Sequence, residues 1–173
     1  MDYLFFGYDF FVTLEKRLWN WTLVQFIRYQ KEGDYMYKKI MVPVDLTHVE
    51  QLEKALATAA DLSKHYSIPI CYVSVSAVVP GPVAHNPAEF AEKLEEFAHE
   101  QARVRGLSEV SSVAYTSHDP TIDLDKTLLK AIEETDAGLV VMHSHIPGFP
   151  EYLFGSNAGY IAMHSQVSVL VVR

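Results

Sequence analysis

Short apolar runs alternate with amphipathic segments along this chain from residue 39 to the last residue. Five runs rich in β-branched residues predict strands over residues 40–44, 70–75, 110–116, 139–142 and 167–172. Apolar residues between these runs recur at helical spacing and predict four helices. One is capped by Thr47, one runs from Asn86 and Pro87 to Gly106, and two cover residues 124–134 and 155–164.

The alternation of strands and helices indicates right-handed βαβ crossovers and a parallel sheet. Because the strands are continuous apolar runs, we expect helices to cover both faces of the sheet. The predicted fold is therefore a five-stranded, parallel, doubly wound α/β sandwich. In such folds ligands bind beyond the carboxyl ends of the strands, close to the point where the strand order reverses.

Two predicted strands have the character of sheet edges. Ser111 and Ser112 make the third strand weakly apolar, as expected near an edge. In the last strand, residues 167–172, both faces are mostly apolar. A bare apolar edge invites aggregation unless it is paired or covered, and pairing with a second copy about a two-fold axis would cover it.

The segment from residue 139 to the end holds the strongest signal for a ligand. An apolar run ends at His143, Ser144 and His145, and a loop containing Gly148 leads to a helix start at residues 155–157. Backbone N–H donors from the strand end and the helix start would converge there, beside the positive end of the helix dipole. We expect a phosphate-bearing ligand in this place. The alternative interpretation of residues 155–157 is an ordinary helix cap.

Other chemistry at the predicted strand ends has weaker support. Asp45 follows the first strand and would accept hydrogen bonds from a ribose or a base, although Asp-x-Thr is also ordinary helix-start chemistry. Ser144 lacks the flanking glycines of a nucleophile elbow, so we interpret it as a hydroxyl donor to phosphate. His143, His145 and His164 have no Asp or Glu close by in the sequence, which favours loop histidines over a metal site.

The loop over residues 79–82 is rich in Pro and Gly, and it would be either a lid over the predicted ligand cleft or a plain connector.

The composition narrows the range of functions further. With 14 basic and 22 acidic residues the net charge is −8, which argues against nucleic-acid binding. The single cysteine, Cys71, lies in an apolar run, so we expect a core residue and a reducing compartment, the cytoplasm.

The first 35 residues differ from the rest in their dense aromatic content. Charges interrupt them too often for a membrane span, which needs about 20 apolar residues, and they lack the pattern of a signal peptide. An interfacial helix is one interpretation. The other is over-translated upstream sequence, because the codons of residues 31–33 can spell a ribosome-binding site and Met36 begins an ordinary first strand. We therefore divide the chain into an extension, residues 1–35, and a domain, residues 36–173.

The domain resembles the universal stress protein family. The opening Lys39-Ile40-Met41-Val42-Pro43-Val44-Asp45 is similar to the family's first strand, and Gly155-Ser156-Asn157-Ala158, His164 and the closing Val169-Leu170-Val171-Val172-Arg173 are similar to its end. The form of this ending looks like the small single-domain bacterial branch lettered F and G. The resemblance implies a Rossmann-like sandwich of the adenine nucleotide alpha-hydrolase type, and a homodimer paired through Val167, Val169, Leu170 and Val171.

The resemblance also implies ATP binding. Mg²⁺ is the ion that would accompany ATP. Asp45 would face the adenosine, Val75 would lie against the adenine, and Ser144, His145 and residues 155–157 would surround the phosphates. The implied nucleotide-binding set is Pro43, Val44, Asp45, Val75, Met142, His143, Ser144, His145, Gly148, Gly155, Ser156 and Asn157.

The sequence departs from the nucleotide-binding pattern at two positions. His143 and Ile146 stand where nucleotide-binding members carry the first two glycines, whereas Gly155 and Ser156 are intact. No general base, carboxylate pair for Mg²⁺ or Walker lysine accompanies the predicted site. We expect an ATP-binding homodimeric regulator of the stress response without strong catalysis. The alternatives are a stress protein that acts through dimerisation and protein partners without a nucleotide, and a weak ATP hydrolase.

Overall fold

The computed structural model describes residues 36–143 and 154–173, and in this part of the chain five parallel strands form one sheet. The strands are β1 (Ile40–Pro43), β2 (Ile70–Ala77), β3 (Val110–Ser117), β4 (Leu139–His143) and β5 (Ser168–Val172). Their order is β3-β2-β1-β4-β5, so the chain moves outward from β1 in one direction and then in the other. This order confirms the predicted doubly wound sheet and places the reversal between β1 and β4.

In the described ranges, four α-helices cover the two faces of the sheet: α1 (Glu53–Tyr66), α2 (Pro87–Arg105), α3 (Pro120–Thr135) and α4 (Phe154–His164). Side chains alternate along a strand, so Ile40 and Val42 pack with α1 and α2, while Met41 packs with α3 and α4. Both layers are buried, and Cys71 belongs to the second one, where burial raises the pKa of its thiol. Cys71 is thus the core residue that the sequence predicted.

The ends of α2 confirm the sequence signals. The Asn86 side chain accepts a hydrogen bond from the Glu89 N–H at 2.9 Å, and Pro87 occupies the first helical position. Gly106 ends the helix with φ +62°, a left-handed conformation that glycine adopts without strain. The side-chain cap at Asn86 and the left-handed backbone of Gly106 therefore define the two ends of α2.

The start predicted for the first helix is wrong. A short 3₁₀ helix, Val49–Leu52, comes before α1, and its cap position is His48, whose side chain makes no capping hydrogen bond. The Thr47 N–H donates to the Asp45 carboxylate at 2.8 Å. Helix α3 begins four residues before the predicted position, at Pro120. The Asp119 side chain accepts from the Ile122 N–H at 3.3 Å and supplies the missing cap.

The edge positions predicted for the third and fifth strands are both confirmed. Strand β5 pairs only with β4 among the described residues, and along it Leu170 is 38% exposed while Val172 is buried. Within the described ranges, no helix has both the length and the apolar character needed to cross a bilayer.

Candidate functional site

A cleft of about 310 Å³ lies beyond the carboxyl ends of β1 and β2. Small-molecule sites usually enclose about 300–1,000 Å³, so the cleft has room for one small ligand. The residues that line it come from both strand ends, from the loop before α2, and from the starts of α2 and α3. Its apolar wall includes Val75, Ala77, Val79, Ala84, Phe90 and Leu124.

Pro43 helps to explain why the sheet opens at this edge. Strand β1 pairs with β4 at Ile40 and Met41. In the parallel ladder, alternate residues of β1 direct their peptide groups toward β4. Met41 is one of these residues, and Pro43 is the next. Proline has no N–H to donate, so the ladder cannot continue there. The opening that follows from Pro43 lies between β1 and β4, beside the cleft, whose lining includes no residue of β4.

Asp45 forms the polar floor at the end of β1. One carboxylate oxygen accepts from the Thr47 N–H at 2.8 Å, and the other lies 2.8 Å from Nδ1 of His48. Both side chains are half-buried, and both line the cleft. The ordinary turn chemistry that Asp45 was expected to supply is therefore present, in a place where a ligand could also reach the carboxylate.

Two serines of β2 hold the strand ends in place beside the cleft. The Ser74 hydroxyl, which is buried, donates to the Val44 carbonyl at 2.7 Å. The Ser76 hydroxyl donates more weakly to the Tyr115 carbonyl at 3.4 Å. Because the side chains make these internal bonds, a ligand would find the peptide groups of β2 more available than its hydroxyls.

The loop before α2 covers one side of the cleft and is fastened to that helix by Glu89. One Glu89 oxygen accepts from the His85 N–H at 2.8 Å, and the other lies 2.8 Å from the Lys93 ammonium. Lys93 also donates to the Val83 carbonyl. The hydrogen bonds from Lys93 and from the His85 N–H lower the pKa of Glu89 to about 2. We call this set of contacts, made by Glu89, Lys93, His85 and Val83, the loop latch.

The structure brings three of the twelve predicted nucleotide-binding residues together in the cleft, namely Val44, Asp45 and Val75. Pro43 and Met142 are buried at the ends of β1 and β4, and His143 is half-buried as the last residue of β4. None of these three belongs to the cleft lining.

The predicted phosphate residues lie mainly beside or outside the described ranges. Ser144, His145 and Gly148 fall outside them. Gly155 and Ser156 are in the first turn of α4, and Asn157 comes next with only 7% of its surface exposed. Among the described residues, no three His, Cys, Asp or Glu side chains are grouped so that they could hold a metal ion.

Sequence reasoning missed several residues of the cleft. His48 is three positions after Asp45, a spacing that lets two side chains meet across a turn. Phe90 and Leu124 lie within predicted helices, and helical spacing gives no sign that they also line a cavity. The contact between Asn86 and Glu89 was predictable from the sequence, because a capping residue followed by Glu three positions later is typical of a helix start.

Comparison with known proteins agrees with this architecture. The model of the universal stress protein family matches residues 36–173. Universal stress protein G of Salmonella typhimurium is 28% identical over 146 residues, which are 80% of this chain and 100% of that protein.

Two solved structures share the fold. A universal stress protein in complex with cAMP superposes with a TM-score of 0.59 at 15% identity, over 80% of this chain and 99% of that one. The universal stress protein of Archaeoglobus fulgidus in complex with dAMP gives 0.54 at 19% identity, over 80% and 100%. With the family match covering every strand of the sheet, the chain belongs to the universal stress protein family.

Proposed function

We propose that this protein binds an adenine nucleotide, ATP in the cell, in the cleft beyond β1 and β2. We further propose that it is a cytoplasmic homodimer that regulates a stress response without strong catalysis. One observation carries the nucleotide assignment: β1 stops before its ladder with β2 is complete. The peptide groups of Val75 are left facing the cleft.

The register of the two strands gives this direction. The Val44 N–H donates to the Val73 carbonyl at 2.8 Å, so Val73 directs its peptide groups toward β1. Alternate residues of a strand face the same neighbour, and Val75 therefore faces the β1 side as well. Opposite Val75, the chain has already turned away at Asp45. The Val44 carbonyl, which would come next in the ladder, accepts from the Ser74 hydroxyl instead.

A neighbouring N–H donor and C=O acceptor complement the edge of an adenine. The base offers the amino group at N6 as a donor and a ring nitrogen beside it as an acceptor. The walls formed by Val79, Ala84 and Leu124 are apolar and suit the faces of a planar ring. Two family members were solved with the adenine nucleotides cAMP and dAMP, which supports the same ligand class here.

We infer the positions of the sugar and the phosphates from the groups on either side of the base pocket. Asp45 would accept hydrogen bonds from the sugar, because each carboxylate oxygen can take more than one donor. The phosphates would lie toward the start of α4, where Gly155, Ser156 and Asn157 form the first turn and the helix dipole favours an anion. Mg²⁺ would then be held by the phosphates more than by the protein.

The homodimer would form through β5. This strand is a sheet edge, and Val167, Val169 and Val171 are only partly buried against the second core layer, while Leu170 is 38% exposed. Two such edges related by a two-fold axis would pair their backbones and cover these side chains.

The second candidate is a stress protein that acts through dimerisation and protein partners without a nucleotide. It is favoured by His143, the last residue of β4, and by Ile146, since both replace glycines of the family's nucleotide-binding pattern. Side chains at these positions would narrow the approach of the backbone to a phosphate. A weak ATP hydrolase is the remaining alternative.

Binding of ATP to the purified full-length chain separates these candidates. At an ATP concentration 100 times its dissociation constant, the folded state gains about 2.7 kcal/mol. For a domain of this size we expect the melting temperature to rise by about 8 °C. Absence of a shift at millimolar ATP, together with absence of bound nucleotide by mass spectrometry, would refute the proposal and favour the second candidate.

A matched pair of variants tests whether binding occurs in this cleft. Ala77 lines the cleft at the end of β2, and Ala77→Leu would place a larger side chain where the ligand lies. Ala88, exposed in the first turn of α2, does not line the cleft, so Ala88→Leu is the control. We expect the ATP-dependent shift to be lost in the first variant and kept in the second. Equal shifts in both would mean that ATP binds elsewhere.

A further inference from the structure

The carboxylate of Asp45 is satisfied by the protein itself before any ligand arrives. Its first oxygen accepts from the Thr47 N–H at 2.8 Å, and its second lies at the same distance from Nδ1 of His48. Asp45, Thr47 and His48 all line the cleft. This matters for specificity, because Asp45 is the side chain that would meet the sugar of a bound nucleotide.

The contact fixes the proton on the His48 ring. An ionised carboxylate can only accept hydrogen bonds, so a nitrogen at 2.8 Å must carry a hydrogen, and Nδ1 is the donor. The side chains of His48 and Asp45 are 33% and 28% exposed, so water is partly excluded from the pair. In this arrangement His48 supplies the second oxygen with the partner that a sugar hydroxyl would otherwise provide.

Strong selection for a hydroxyl requires a polar group that is left unpaired when the hydroxyl is missing. Sites of that type reject the analogue without the hydroxyl by factors of about 10⁴–10⁵. At Asp45 neither oxygen would be left unpaired, because Thr47 and His48 remain in place. A 2′-hydroxyl could add one hydrogen bond on a spare lone pair, and its loss would remove only that bond.

Building on the nucleotide site proposed above, we propose that the cleft accepts 2′-deoxyribonucleotides nearly as well as ribonucleotides, and that His48 is the residue that sets this tolerance. The ligand class is then adenine nucleotides with either sugar. His48 is a positioning residue here, since it acts on the sugar through Asp45.

Isothermal titration of the full-length chain with AMP and with 2′-dAMP tests the inference, because the monophosphates depend least on the phosphate loop. We expect the dissociation constant of 2′-dAMP to exceed that of AMP by less than about tenfold, which corresponds to one modest hydrogen bond. In His48→Ala the second oxygen of Asp45 loses its partner, and we expect the ratio to rise at least about threefold.

Two controls distinguish a specific effect from a general one. His48→Gln keeps a side-chain N–H donor near Asp45, so its ratio should stay close to that of the unmodified protein. His65 is exposed near the end of α1 and does not line the cleft, so His65→Ala should not change the ratio.

The outcomes are distinct. If AMP binds and 2′-dAMP is weaker by more than tenfold, or if the ratio is the same in His48→Ala, the inference is overturned while the nucleotide site stands. If neither monophosphate binds, the inference is overturned, and the ATP-dependent shift described above decides the proposed function separately.

Discussion

The side chain of Tyr72 offers a sharp test of the packing of the core. It lies on β2, is fully buried, and meets the ring of Phe97 edge-to-face at 5.4 Å between centroids. Its hydroxyl makes no hydrogen bond with any residue that the structure describes. Burial raises the pKa of this phenol to about 12, and the charge of Arg105 opposes that shift. We therefore predict that Tyr72→Phe stabilises the protein.

The size of the effect follows from the cost of burying an unpaired hydroxyl. Protein data place that cost at about 1–3 kcal/mol. Removing the oxygen leaves a small gap and forfeits some van der Waals contacts with its neighbours, which offsets part of the gain. We expect the free energy of unfolding to rise by about 1 kcal/mol, and the melting temperature to rise by about 3 °C.

Urea denaturation of the full-length chain measures this change, with Tyr115→Phe as the matched control. The Tyr115 hydroxyl donates to the Glu134 carboxylate at 2.7 Å, so its removal should lower the free energy of unfolding and should not raise it. A loss of stability in Tyr72→Phe similar to that in Tyr115→Phe would refute the reasoning, since it would mean that the Tyr72 hydroxyl is satisfied.

The pH dependence gives a second readout from the same variant. The folded state raises the pKa of Tyr72 from 10.0 to about 12 and so favours the neutral phenol. This contribution to stability is complete below pH 10 and is lost as the pH rises toward 12. Tyr72→Phe should therefore lose less stability than the unmodified protein over that interval.

Three further predictions concern other parts of the molecule. Glu89→Gln should loosen the loop latch and speed deuterium exchange over residues 81–86. The unmodified protein should show the same change as the pH falls from 4.5 to about 2, because protonation then removes the charge of Glu89. The folded state lowers the pKa of this carboxyl group from 4.5 to about 2. Slow exchange in the variant at neutral pH would contradict this role. Leu170→Lys should convert the proposed dimer to a monomer in analytical ultracentrifugation, whereas Ser111→Lys on the opposite edge should not, and a monomer before mutation would exclude the β5 interface. N-terminal sequencing of the native protein should find Met36 as the first residue if residues 1–35 are over-translated, and a mature chain that starts earlier would exclude that interpretation.

The architecture was predictable because its signals are local and repeated. Each strand is an apolar run, each helix has an apolar stripe, and the alternation of the two leaves few topologies. Asn86, Pro87 and Gly106 each act on the backbone next to them, so the limits of α2 follow from the sequence alone. The edge position of β3 was readable from Ser111 and Ser112 for the same reason.

The details of the cleft were less predictable because they depend on competition between nearby groups. Thr47 and Asp45 are both good capping residues, and only the geometry shows that the Asp45 carboxylate accepts from the Thr47 backbone N–H while the Thr47 side chain caps no helix. The partnership of Asp45 with His48 depends on a non-helical turn, which periodicity does not describe. Phe90 and Leu124 belong to different helices, and the sequence gives no sign that they meet across one cavity.

The early end of β1 has a consequence for how this site can change over evolutionary time. A base docked against Val75 would be read by a peptide N–H and C=O, and every residue except proline supplies that pair. Point mutations at this position can therefore alter the size and shape of the pocket without erasing its hydrogen-bonding pattern. Recognition encoded in the path of the main chain would tolerate extensive drift of the side chains, provided that β1 still ends short of β2.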